Sequence, residues 1–302
     1  MFDILVIGGG VSGMTAALYG LRNNKKVMLI EGNSVGGQIA LSPKVENYPT
    51  VKQVSGAKLS DDLFDQISSL GVEFEFDNVK SVEKIENKFI VTGEYGTYES
   101  LSVIIATGVK HRKLKLPNED SLIGNGVYYC AICDGPFYAG KEVTLIGDGN
   151  TALQYALLLS DICKKVNLVI MFDKFFGDDN LVKAVENKEN IEITKNSKTI
   201  ELLEDTTGLT GIKFMKNDGT TFVINNSALF VAIGQIPDNK KFENVADLDK
   251  EGYFDSDETT RTKTPGLFVA GDCRKKVVRQ VATAASDGAV AATFACNYIN
   301  SL

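Results

Sequence analysis

No apolar run in this 302-residue chain approaches the ~18 residues that would span a bilayer, so no membrane-spanning helix is expected. Positive charge is also in short supply: 32 Lys and Arg stand against 39 Asp and Glu, for a formal net charge of −7. Duplex binding needs a basic face that releases counterions, and nucleic acid is therefore not an expected partner. Cysteine occurs five times, an odd count that argues against the disulfide framework of a secreted domain. The chain opens directly into the apolar run MFDILVIGGG, so no signal peptide is expected and the protein is placed in the cytoplasm. With 44% apolar and 24% charged residues, the composition excludes disorder, collagen-like repeats and coiled coil. At roughly 150 residues per domain the length predicts two domains, whose cores need no disulfide or metal staples.

What the chain does have is an internal duplication. Residues 3–7 (DILVI) form a short apolar strand, followed by Gly8, Gly10 and Gly13 in GxGxxG spacing. A small-residue helix is expected from Met14 to Leu21. A second strand from Val27 ends at Glu31, 18 residues past Gly13. This strand–turn–helix–strand unit closes on an acid. Residues 143–173 repeat the plan, with Val143 to Ile146, then Gly147, Gly149 and Ala152, a helix over Leu153 to Leu159, and a strand over Val166 to Ile170. Each unit is followed by alternating segments, VEFEF at 72–76 and IEITKN at 191–196. Each closes on a buried strand ending in glycine, VIIATG at 103–108 and LFVAIG at 229–234; a third such strand, LFVAGD, occupies 267–272. The pattern predicts two nested α/β nucleotide-binding domains, one made of 1–113 with 241–302 and the other of 114–240.

In the first unit, Gly8 and Gly10 let backbone approach a pyrophosphate, and the helix N-terminus supplies free N–H donors. Glu31 is placed to accept hydrogen bonds from a ribose 2′-OH. Asp272, at a strand end beside a helix N-terminus, is suited to holding a ribityl hydroxyl while that helix dipole faces a flavin ring. These features point to FAD in the first domain. The expected contacts are Gly8, Gly10, Val11, Ser12 and Gly13, then Glu31 and Gly32, Gly37 and Gln38, and Asn47 in VENYP. Thr107, Gly108, Gly271, Asp272, Arg279, Gln280 and Val281 complete the set.

Cys130 and Cys133 stand in CAICDG, just before the second glycine unit. Two thiols at CxxC spacing can form a small-ring disulfide, and the motif can lower one thiol's pKa into the range of roughly 3.5–7.5. Asp134 is adjacent and suited to carrying protons during dithiol formation. A zinc site is the rival reading, but no second CxxC exists, and His111, the only histidine, lies 19 residues upstream. No metal is expected. Cys163 and Cys296 read as helix-packing residues, Cys273 as a neighbour of the cofactor, and His111 as a surface residue.

At this point the chain resembles the low-molecular-weight thioredoxin reductases over nearly its whole length. The resemblance rests on GGGVSG at 8–13, GGQ at 36–38, VENYP, IIATG, CAICDG, FVAIG, AGD and RQVATAASDG. It implies two Rossmann-like, three-layer ββα domains of the pyridine nucleotide-disulfide oxidoreductase type, with FAD in the first. It further implies a redox disulfide Cys130–Cys133 in the second, Asp134 as proton donor, a homodimer, and thioredoxin as electron acceptor. Domain rotation is implied between flavin reduction and delivery to thioredoxin.

One motif departs from the pattern. Family members carry a basic HRR-type triplet and a further arginine that clamp the NADPH 2′-phosphate. This chain reads Ile170-Met171-Phe172-Asp173-Lys174-Phe175-Phe176 there. Each lost charge-assisted bond costs roughly 1.5–3 kcal/mol, so losing two or three weakens binding by about 10² or more. NADH is less disfavoured, because Gly147, Gly149 and Ala152 persist, although Asp148 places a carboxylate in the phosphate cradle. The combination resembles the ferredoxin-linked flavin thioredoxin reductases, which implies reduced ferredoxin as electron donor. Ferredoxins are acidic, and two basic segments are candidate docking patches: Lys110 to Lys115, and Arg274, Lys275, Lys276 with Arg279. The alternatives are an NADH- or NADPH-dependent thioredoxin reductase and a non-enzymatic flavin–dithiol redox sensor.

Overall fold

A computed structural model describes residues 1–42 and 45–302. The chain begins with β1 (Phe2–Ile7), α1 (Val11–Arg22), β2 (Val27–Glu31), α2 (Gly56–Ser69), β3 (Glu73–Phe76), β4 (Ser81–Ile85), β5 (Lys88–Thr92), β6 (Thr97–Ile105) and the two-residue β7 (Lys110–His111). There follow α3 (Glu119–Leu122), β8 (Val127–Tyr128), α4 (Ala131–Asp134), β9 (Glu142–Ile146), α5 (Asn150–Ile162), β10 (Lys165–Val169) and α6 (Asp179–Glu186). The middle of the chain continues with β11 (Ile191–Thr194), β12 (Ser197–Asp205), β13 (Gly208–Lys216), β14 (Thr221–Ile224), β15 (Leu229–Val231) and β16 (Gln235–Ile236). The last elements are β17 (Leu267–Val269) and α7 (Val281–Asn300). Two units result: Met1–Lys110 with Ile236–Leu302, and His111–Gln235.

In the first unit, β3, β2, β1 and β6 lie side by side in parallel, with Ile4 opposite Val27 and Ser102. Besides β1, β6 has two further partners: Thr97–Ser100 pairs antiparallel with β5, and Val103–Ile105 parallel with β17. Both faces of β1 are covered, which is why its sequence is a continuous apolar run instead of an alternating one. Leu5 and Ile7 pack with Val103, Ile105, Phe89, Phe242 and Phe254. Ile4 and Val6 face the helices, against Met14, Ala17, Ala291 and Ala295. α1 and α7 approach closely because Gly288 has no side chain; a Cβ there would stand 2.2 Å from the Ser12 carbonyl oxygen.

The second unit repeats this plan in an all-parallel sheet of order β11-β10-β9-β15-β8. A three-stranded antiparallel sheet, β12-β13-β14, accompanies it. The duplication read from the glycine spacing is thus a duplication of fold. The first helices begin earlier than their apolar periodicity suggested, α1 at Val11 and α5 at Asn150, because each starts at its glycine turn. No helix among the described residues is long and apolar enough to cross a membrane.

Candidate active site

The β1–α1 turn of the first unit is built by its glycines. Gly8 has φ +110°, and a Cβ there would stand 2.4 Å from the Ala106 carbonyl oxygen. At Gly13 a Cβ would meet the Gly8 oxygen at 1.8 Å, so only glycine lets α1 sit down on its own turn. Gly10 precedes Val11 with no side-chain cap on the helix, leaving its first N–H groups free to face a ligand.

Around that turn the structure gathers the other predicted contacts of this unit. The Glu31 carboxylate accepts the Gly9 N–H at 2.6 Å and the Asn33 N–H at 2.8 Å, beside Gly32. The Gly36 N–H bonds the Gly9 oxygen at 2.8 Å, and a Cβ on Gly37 would stand 3.5 Å from the Gly10 Cα. Gln38 donates through its side-chain amide to the Val109 carbonyl, next to Thr107 and Gly108. Asn47 donates to the Gln280 side chain at 3.1 Å. Gln280 caps α7, whose first residue is Val281. Gly271, at φ +81° and just before Asp272, lies against the first turn of α1, where a Cβ on Gly271 would meet Ser12 at 2.8 Å.

The cradle is polar and incompletely partnered. Ser12 Oγ, Thr107 Oγ1, Asp272 Oδ1 and Arg279 Nε are all buried without a hydrogen-bond partner. Buried polar atoms ordinarily find partners, so four orphans on converging segments mark the place of a polar ligand. Burial pushes the Asp272 carboxyl up, while Lys276 and Arg279 pull it back. Ribose, diphosphate and ribityl groups offer the donors and acceptors these atoms lack, and the residues present fit FAD.

Sequence reasoning missed part of this cradle. The Arg279 guanidinium lies 4.4 Å over the Tyr253 ring. Fully buried Asn239 donates to the carbonyls of Gly252 and Cys273, tying the Tyr253 loop to the Gly271–Cys273 turn. Nothing in the local pattern of ENVADLDKEGY marks these contacts. Cys273 is fully buried, its thiol donating to the Ala270 carbonyl at 3.2 Å, and burial pushes that thiol up to about 11.

Cys130, Cys133 and Asp134 belong to the second unit. Cys130 and Cys133 form a disulfide, with Cys130 at the N-cap of α4 and its sulfur accepting the Cys133 N–H at 3.2 Å. The Asp134 N–H bonds the Cys130 carbonyl at 3.0 Å, so the acid is held one turn from the first sulfur's residue. Its carboxyl is buried, with Oδ1 unpartnered, and burial pushes its pKa up to about 7. Tyr138 and Tyr155 stand within electrostatic reach of it. A carboxyl poised at neutrality gives and takes a proton with little driving force either way, which suits a thiolate being made or consumed beside it.

His111 is not the surface residue expected. It is half-buried, stacked at 4.9 Å on Tyr129, and burial lowers its imidazole to about 4. The Tyr129 hydroxyl in turn donates to Glu119, a buried carboxylate that also accepts the N–H groups of Leu114 and Lys115. The second basic segment is also corrected. Arg274 and Lys276 are 7% exposed and both bond Asp287, so they are absorbed into the fold and offer no free docking charge.

The second glycine turn differs from the first. Gly147 (φ +142°) and Gly149 keep its shape, but Asp148 lies between them, its carboxyl pushed up by burial. The segment after β10 folds back onto the start of α5: the Phe176 N–H bonds the Asp148 carbonyl at 2.8 Å, and the Asp178 N–H bonds the Asn150 side chain at 2.7 Å. Met171, Phe172 and Phe176 are exposed there, with the two phenylalanine rings edge to face at 5.1 Å. Lys174, the one cation of the 170–176 segment, lies over the Phe176 ring at 5.7 Å. The 170–176 segment thus carries one cation, Lys174, and one carboxylate, Asp173.

The family model of the pyridine nucleotide-disulphide oxidoreductases matches residues 2–288. The chain is 36% identical to a thioredoxin reductase of Listeria monocytogenes, over 100% of this chain and 95% of that one. It is 34% identical to that of Bacillus subtilis, covering 100% and 96%. The chain belongs to the low-molecular-weight thioredoxin reductase family. Among solved structures, the thioredoxin reductase from Streptococcus pyogenes superposes with a TM-score of 0.95 at 32% identity, covering 100% of this chain and 99% of that one. Thioredoxin reductases of this family are FAD-binding flavoproteins, in keeping with the orphaned polar atoms of the first cradle.

Proposed function

We propose that this chain reduces the disulfide of thioredoxin through Cys130 and Cys133, with electrons supplied by reduced ferredoxin. The observation that carries the choice of donor is the 170–178 segment. It sets aromatic rings and carboxylates where a nicotinamide dinucleotide phosphate needs cations. We assign the first unit to FAD and the second to the redox disulfide, in a cytoplasmic homodimer.

FAD, when bound, supplies the chemistry that converts single electrons into a pair. The protein's own residues do the rest. The free N–H groups of α1 and the side chains of Ser12, Thr107, Asp272 and Arg279 hold and orient the group. Two electrons break the Cys130–Cys133 bond, and Asp134 supplies a proton to a nascent thiolate. One sulfur then attacks thioredoxin, the second resolves the mixed disulfide, and the Cys130–Cys133 bond re-forms as thioredoxin leaves as a dithiol. Two ferredoxins, each losing one electron, and two protons from solvent, one of them passed through Asp134, balance one thioredoxin reduced to its dithiol.

The retained Gly147, Gly149 and Ala152 favour one second reading, with NADH as donor. An anaerobic titration decides between them: NADPH, NADH and reduced ferredoxin are added separately while the visible flavin band is followed, with oxidised thioredoxin as acceptor. Bleaching and thioredoxin dithiol with ferredoxin alone are expected. Bleaching by a nicotinamide at micromolar concentration overturns the donor.

A further inference from the structure

Asp287 is the only charged residue of α7, set in the small-residue run VATAASDGAVAA. Its carboxylate collects four donors. Oδ2 accepts the Gly271 N–H at 3.0 Å, Arg274 Nε at 2.8 Å and Lys276 Nζ at 2.9 Å, while Oδ1 accepts Arg274 Nη2 at 2.8 Å. Arg274 alone already matches the carboxylate with a bidentate pair, the strongest geometry available to it. Lys276 is supernumerary. Its ammonium has Asp287 as its one acceptor among the described residues, and it is only 7% exposed. Burying a second cation on one carboxylate carries a desolvation cost that the fold itself does not require.

The cluster sits at the flavin cradle, because Gly271 and Asp272 form its floor and Arg279 follows three residues after Lys276. Asp272 feels Lys276, Arg279 and Asp287 together. Three cations, Arg274, Lys276 and Arg279, face two carboxylates, Asp272 and Asp287, which leaves one positive charge in excess. Exposed groups do not cancel it: Lys275 pairs with Asp255 at 3.6 Å, and Glu258, near Arg274, is in solvent where screening is strong.

We propose that Lys276 is a redox-tuning residue, the surplus charge of the Arg274–Asp287–Lys276 cluster acting on the flavin that the adjacent cradle holds. Reduction of the oxidised ring by two electrons with uptake of one proton leaves one added negative charge, and a fixed buried cation nearby favours that product. Lys276 in this account raises the flavin potential without touching the disulfide.

Two variants of opposite sign test the assignment. The purified FAD-loaded protein is reduced anaerobically with dithionite against a reference dye, and the ratio of reduced to oxidised flavin is read at fixed potential. K276M removes the surplus charge and is expected to lower that ratio at least tenfold, about 30 mV for a two-electron couple. D287N adds a charge and is expected to raise the ratio, while K276R stays within about threefold of the parent, as a preserved charge requires. Damage to packing moves K276M and D287N in the same direction. A common direction, or a change below about threefold in K276M, overturns the proposal. If K276M sheds its flavin, K276Q repeats the subtraction, and loss from both overturns it too. The proposal rests on the first unit's cradle holding FAD; a parent protein that purifies without stoichiometric flavin refutes that reading separately.

Discussion

Asp134 shows how burial turns an ordinary carboxyl into a working acid. Its pKa, pushed up to about 7, makes the protonated form available below neutrality and scarce above it. The dithiol-forming step is therefore expected to slow about tenfold per pH unit above that value, measured by stopped-flow release of thioredoxin thiol. D134N should flatten the profile and lower the plateau by about 10²–10⁴-fold. The same shift has a stability cost. A carboxyl raised in the folded state contributes stability below its unfolded value and loses that contribution as pH rises through the folded one. D134N is accordingly expected to unfold at a higher temperature than the parent at pH 8, with the gap closing by pH 4. The sulfurs are simpler: C130S or C133S should abolish thioredoxin reduction while leaving FAD bound, and retained turnover would refute the mechanism. CAICDG announced these three residues, whereas the acid's strength is set by its burial in the fold, with Tyr138 and Tyr155 within electrostatic reach, and the motif does not encode that.

At the scale of elements, the two strand–turn–helix units share a backbone plan and differ in what decorates it. In the first, the turn ends in an uncapped helix ringed by orphaned polar atoms. In the second, the loop after β10 is laid across the helix start and exposes Phe172 and Phe176. Restoring cations tests this directly. An M171R/F172R/F176R variant, with two new charge-assisted bonds at ~1.5–3 kcal/mol each, should lower the NADPH concentration for half-maximal flavin bleaching by about 10² or more. An unchanged response would place the barrier at Asp148 instead. Element identity was legible because a glycine turn fixes where a strand stops and a helix starts. Helix lengths were not, since the first turns of α1 and α5 carry too few apolar residues to register in the periodicity.

The whole molecule carries a net charge of −7, and the proposed donor, reduced ferredoxin, is an acidic carrier that would have to approach it. Of the two basic segments, Arg274 and Lys276 are buried on Asp287, Lys113 and Lys275 are paired with Asp120 and Asp255, and Lys110, Arg112 and Lys115 are left exposed to steer that approach. Turnover with reduced ferredoxin should therefore depend weakly on salt, with kcat/KM falling less than about tenfold between 50 and 200 mM. A steeper fall would reveal a charged docking face elsewhere. Thioredoxin reduction itself, measured as dithiol formed per electron pair, serves as the internal control.

The linear chain by itself determined the duplicated nucleotide-binding plan, the flavin-type cradle motifs, the CxxC pair and the loss of the arginine triplet. All of these are short-range patterns, written within a few tens of residues by glycines, apolar runs and fixed spacings. Only the tertiary structure decided which charges are free and which are spent, and how strongly each acid holds its proton. Arg274 and Lys276 read as surface cations until Asp287 reached them from α7, and His111 read as exposed until Tyr129 stacked on it. Burial and pairing are long-range properties set by whatever the fold brings alongside, and a residue's own neighbours in sequence do not encode them.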